Sequence, residues 1–148
     1  MAIKSSTGLA NHLLVTGSLK NALDAGFIKV YAGTVPADAD AAITGTTLLW
    51  TISVGGAGTG LTWDTTPVNR ALVKPSAATW SGATIVGTAS YFRVVGSADD
   101  GLLSTTQPRL QGQVGMVAGA NTDMYVADTT FAVGTKSLAA FSIALPTN

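Results

Sequence analysis

His12 is the single histidine of the chain, and neither cysteine nor glutamate occurs, so acid–base or nucleophilic chemistry would have to centre on this one imidazole. It stands beside Leu13 and Leu14 in a leucine-rich stretch. A Ser-His-Asp arrangement would need a distant serine and aspartate to converge on it, and no spacing points to such partners. His12 therefore reads as a packing or interface residue. Four of the eight carboxylates stand in two pairs, Asp38 with Asp40 and Asp99 with Asp100. Adjacent side chains of an extended segment point to opposite sides, so Asp99 and Asp100 suit a solvated turn better than a shared task. Asp38 and Asp40 lack the dense ligand series, with its glycine and closing glutamate, of a calcium loop. The reading is that the chain holds no metal.

Gly55-Gly56-Ala57-Gly58-Thr59-Gly60 looks at first like a phosphate-cradling loop, yet no Lys-Ser/Thr follows it and no helix opens after it. A flexible connection is the better reading. Trp50, Trp63 and Trp80 are able to stack on sugars or bases, but no lane of basic residues runs between them. Their expected place is the core or a subunit interface, where aromatic residues are enriched. No cofactor is expected, and an enzyme is the class least favoured, because the usual sets of reacting side chains are missing.

The elements that must position these residues change character along the chain. Ser5, Ser6 or Thr7 is suited to cap a helix with Leu9, Leu13 and Leu14 on one face, ended by Gly17. Ser18 is suited to cap a second one carrying Leu19, Ala22 and Leu23, stopped by the turn at Asp24-Ala25-Gly26. Residues 1–25 thus read as a helical arm, and 26–148 as a β-body. Phe27–Tyr31 and Leu48–Val54 are expected strands, separated by an ordered loop or one helical turn at Val35–Ala42. Leu61–Trp63 and Ala71–Val73 read as edge segments. A hairpin is expected from Ala83–Val86 and Ser90–Val95. The alternation in Arg109–Met116 predicts a strand with one wet face. Asp123–Val126, Thr129–Val133 and a last strand at Leu138–Leu145, stopped by Pro146, complete the series.

Roughly eight to ten short strands with turn signals between them argue for an all-β fold, an antiparallel, jelly-roll-like β-sandwich with a short N-terminal helical arm. Composition agrees. Every one of the eight acidic residues is aspartate, which prefers caps and turns to helix surfaces. At 148 residues one domain is expected. Only 11% of the residues are charged and 47% are hydrophobic, so some of the surface is expected to be covered by a partner. The zero net charge removes the basic footprint of a nucleic-acid binder, so no nucleic acid is expected as partner. The first residues lack the pattern of a signal peptide, and no run is long enough to span a bilayer, so no membrane partner is expected either, and the reading is a soluble protein made in the cytoplasm.

Several stretches resemble a family of small virion structural proteins of tailed bacteriophages. They are Ser6–Leu9, Gly17–Lys20, Phe27–Asp40, Lys74–Gly82, Ala98–Gly101, Ser104–Gly112 and Phe141–Pro146. The resemblance implies a place in the phage particle and brings no catalytic motif with it. The most specific expectation is a capsid decoration, or cement, protein. It would sit on the outer surface of the head and bind the major capsid protein, as a homo-oligomer, preferably a trimer at local threefold positions. Contacts repeated by symmetry would add up through avidity. Ile3, Leu9, His12, Leu13 and Leu14 of the arm, with Trp50 and Trp80, are the candidate capsid or subunit interface. A tail, connector or baseplate subunit and a carbohydrate-binding adhesion module are the alternatives. The arm is expected to be removable from a β-body that still folds.

Overall fold

A computed structural model of the chain describes residues 3–116 and 122–144. The N-terminal segment begins with β1 (Lys4–Ser5) and α1 (Thr7–Asn11). A π-helical turn follows (His12–Thr16), then α2 (Leu19–Leu23). Of the three candidate caps Ser6 holds α1, accepting the Leu9 N–H at 3.0 Å, and Ser18 holds α2 through the Asn21 N–H at 3.1 Å. Gly17 ends the π-turn by donating to the His12 carbonyl.

The rest is strand and loop: β2 (Phe27–Gly33), β3 (Thr46–Val54), β4 (Ala71–Val73), β5 (Trp80–Thr84), β6 (Gly87–Thr88) and β7 (Tyr91–Val95). After them come β8 (Arg109–Gly115), β9 (Met124–Tyr125), β10 (Thr130–Phe131), β11 (Gly134–Leu138) and β12 (Ser142–Ala144). The chain is all-β, as the turn-rich, strand-prone composition predicts. Its main sheet runs β1-β8-β7-β2-β3-β5-β11 with every neighbour antiparallel, and β9 joins β8 in parallel. Two ribbons, β4 with β12 and β6 with β10, complete the sandwich-like arrangement. Its layers are unequal, one large sheet against short ribbons and loops.

Period-two alternation sorts the sheet into two faces. Ile28, Val30, Trp50, Ile52, Phe92, Val94, Leu110 and Val114 point into one buried cluster. Ile143 of the β4–β12 ribbon and Phe141 just before it cover it, with Phe131 of β10 and the irregular Leu61–Trp63. Aromatic rings knit this layer together: Trp63 meets Trp80 edge-on at 5.0 Å, Trp50 meets Phe131 at 5.9 Å, and Phe92 meets Phe141 at 5.6 Å.

Four expectations are corrected. Ala83–Val86 and Ser90–Val95 do not form a hairpin: β5 pairs with β3 and β11, whereas β7 lies between β2 and β8. Leu138–Leu145 is not one strand, because the chain leaves β11 at Leu138 and re-enters as β12 in a different ribbon; Leu145 and Pro146 lie outside the described residues. The expected wet face of β8 is dry over most of its length, with Arg109 fully buried, Gln111 1% exposed and Gln113 partly exposed. Asp99 is not solvated either, since its side chain is 2% exposed against Arg109.

Nor is the arm a separate unit. Leu9 and Leu23 belong to the same core cluster as the sheet. The Trp63 indole N–H donates to the Leu23 carbonyl at 3.2 Å, and Asp24 accepts the Trp63 amide. A side chain at Gly60 would place its Cβ 2.2 Å from the Ala25 carbonyl oxygen, so only glycine lets the body approach the arm this closely.

Candidate interaction surface

One hydroxyl ties the start of the arm to the sheet. Besides capping α1, Ser6 Oγ accepts the Arg109 amide at 2.9 Å and donates to the Gln107 carbonyl at 2.8 Å. It thereby stitches α1 to the start of β8, and Ser6 itself is buried. Asp40 completes the anchor from the other side, its carboxylate accepting the Thr7 amide at 2.9 Å and the Thr7 hydroxyl at 2.6 Å. Gly8 lies so close to the Thr106 carbonyl that a Cβ would stand 2.4 Å from it.

From this fixed base the π-turn carries apolar side chains outward. Leu13 is 42% exposed, Leu14 80% and Val15 89%, and Ile3 is 36% exposed. His12 lines a shallow groove of about 350 Å³ between the turn and the segment that packs on Gly8, with Thr105, Thr106 and Pro108 on the far side. Its Nε2 is buried and has no hydrogen-bond partner among the described residues. Leu102 and Leu103, a few residues before that wall, are exposed as well.

The structure thus divides the predicted interface residues. Ile3, Leu13 and Leu14 are at the surface and His12 is half-buried beside them. Leu9, Trp50 and Trp80 are in the core, so they are not docking residues. The expected single face of Leu9, Leu13 and Leu14 breaks where α1 widens into the π-turn, rotating the two later leucines outward. Val15, Leu102 and Leu103 were not anticipated. The signal available was three successive apolar residues, Leu13-Leu14-Val15, which no single helical stripe is able to bury.

Behind the surface lies a polar chamber on the second face of the sheet. The loop Pro36–Ala41 covers it as a strap, and six consecutive carbonyls of that strap accept hydrogen bonds from side chains beneath or beside it. Gln111 holds the Pro36 carbonyl at 2.9 Å and Lys4 that of Ala37 at 2.5 Å. Arg93 Nη2 spans Asp38 and Ala41 at 3.0 and 2.9 Å, and Arg109 Nη1 reaches Ala39 and Asp40 at 3.4 and 3.3 Å. Arg93 Nε donates to Gln111 Oε1 at 2.8 Å, and Arg109 Nε pairs with Asp99. Burial, and then the positive charge of Arg109, lower the Arg93 pKa. Tyr31 stacks on Tyr91 at 5.0 Å, and burial pushes its phenol up to about 12.

A wide cleft of about 900 Å³ opens on the other side, lined by Lys74, Asp123, Tyr125, Lys136 and Phe141 among others. Its cations are engaged: Lys74 donates to the Pro75 and Ala78 carbonyls, and Lys136 sits over the Phe131 ring. Asp123 accepts the Gln113 amide. Among the described residues, no group of three His, Cys, Asp or Glu side chains is placed to hold a metal ion, and no helix is long and apolar enough to cross a membrane.

No family model, curated protein or solved structure matches the chain. Fold and surface together define a small all-β protein whose apolar arm is fixed to its body and presented to the outside.

Proposed function

We propose that the chain is a structural subunit of a tailed-phage particle, a decoration protein that binds the major capsid protein on the outer surface of the head. The observation that carries this reading is the Leu13-Leu14-Val15 ridge, held outward by a turn whose base is bonded to β8 through Ser6 and to the strap through Asp40. A surface that is preorganised loses little freedom on docking, so even a small apolar contact retains most of its free energy. Repetition in a homo-oligomer and over a symmetric shell multiplies weak contacts into stable attachment. The low charge of the chain supports the same reading.

A carbohydrate-binding module rested on exposed tryptophans, and Trp50, Trp63 and Trp80 are at most 2% exposed, which takes away its motive. The test is cryo-electron microscopy of the particle. Density for this fold on the head, with the 13–15 turn against capsid subunits, supports decoration. Density only in the tail or neck makes the chain a ring-forming subunit, and absence from the particle removes the virion reading.

A further inference from the structure

The chamber under the strap holds more positive than negative charge. Arg93 and Arg109 are both fully buried. Asp99, itself buried, pairs with Arg109; Asp100 is 60% exposed and stands 3.8 Å from Arg109 Nη2, beyond hydrogen-bond reach. Among the described residues no carboxylate forms an ion pair with Arg93. Its other donors go to the neutral Gln111 amide and to carbonyls. Each guanidinium also keeps one buried nitrogen, Arg93 Nη1 and Arg109 Nη2, without a hydrogen-bond partner among those residues.

A buried cation without a counter-charge costs several kcal/mol, and a buried donor without an acceptor adds to that. Carbonyl dipoles of the strap offset part of the charge but leave these two nitrogens unused. The groups that would satisfy both deficits at once are small anions. The two guanidiniums are close neighbours: Arg93 stands opposite Gln111, Arg109 lies two residues before it on the same face of β8, and between them they bond four successive strap carbonyls, Arg93 those of Asp38 and Ala41 and Arg109 those of Ala39 and Asp40. Asp100, 60% exposed, is the solvent-facing side chain beside Arg109, and both unused nitrogens are buried, which favours a small monatomic ion over sulfate or phosphate.

We propose that this chamber is a structural binding site for a small monovalent inorganic anion of the chloride class, with Arg93 Nη1 as its principal donor and Arg109 Nη2 as the second. The ion neutralises Arg93 and locks the strap, and through Asp40 it stiffens the base of α1.

The test uses the full chain. Thermal unfolding is measured at fixed ionic strength while chloride replaces gluconate, a large organic anion. Unfolding temperature is expected to climb with the logarithm of chloride concentration, and Arg93→Met to abolish that climb. Asp100→Asn, a change at the exposed rim, is expected to shift the chloride dependence several-fold toward lower concentration. Crystals soaked in bromide should show an anomalous peak within hydrogen-bond reach of Arg93 Nη1. Should Arg93→Met fail to fold, the bromide peak and Asp100→Asn decide. Equal unfolding temperatures in the two salts, or a chamber empty of bromide, would overturn the site.

Discussion

Arg109 and Asp99 form an ion pair in which both side chains are almost withdrawn from water, the guanidinium wholly and the carboxylate to 2% exposure. Ten residues apart, they close the 99–109 loop onto the sheet, and the same guanidinium reaches on to the Ala39 and Asp40 carbonyls. Breaking such a pair from one side leaves a charge buried alone. Asp99→Asn should therefore lower stability by about 3–5 kcal/mol in urea unfolding. Asp100→Asn, exposed and farther from Arg109, should change it by less than about 1 kcal/mol. Equal effects would mean that Asp99 is solvated.

Ser6→Ala removes a helix cap, one bond to the first residue of β8 and one to the Gln107 carbonyl in the loop before it. A loss of about 1–3 kcal/mol is expected, with faster amide exchange at Leu9 and Arg109. Ser5→Ala, one residue away and exposed, should be near neutral.

Because Leu9 and Leu23 share the core with the sheet, deletion of residues 1–25 should abolish cooperative unfolding rather than leave a stable β-body. Circular dichroism melts of the shortened chain check this. By contrast Leu14→Asp and Val15→Asp, on the outward ridge, should leave stability within about 0.5 kcal/mol of the parent. On the proposed function, those two substitutions lower occupancy on purified particles.

The tryptophans give an optical test. With Trp50 and Trp63 each 2% exposed and Trp80 fully buried, native fluorescence should be blue-shifted and resist acrylamide, with quenching restored in denaturant. Trp80→Ala should cost about 3–5 kcal/mol, as the edge-on contact with Trp63 is lost along with the buried area.

Burial raises the Tyr31 phenol from 10.0 to about 12, so the folded state holds its proton where the unfolded chain gives it up. The native state binds more protons in that interval, and stability falls with rising pH. The contribution is fully present below pH 10 and is lost as pH climbs through about 12. Burial raises the Tyr91 phenol as well, so tyrosinate absorbance should show two late-titrating groups, of which Tyr31→Phe removes one, and that variant should have a shallower alkaline loss of stability.

How far the sequence reaches differs from element to element. The caps Ser6 and Ser18 and strands such as Phe27–Gly33 are legible because local signals set them: a hydroxyl before an apolar run, β-branched and aromatic residues before a glycine. The alternation of β8 was equally legible, yet its meaning reversed. A period of two says that Arg109 and Gln111 share a face, not whether water or a strap lies over it. The all-β class and the helical arm followed from residue types and their periods alone. Which leucine of the arm is buried, which strand lies beside β7, and that Pro36–Ala41 seals two arginines were decided only by tertiary structure. Those outcomes depend on contacts between residues far apart in sequence, such as Arg93 with Ala41 and Ser6 with Arg109, and local pattern carries no record of such pairings.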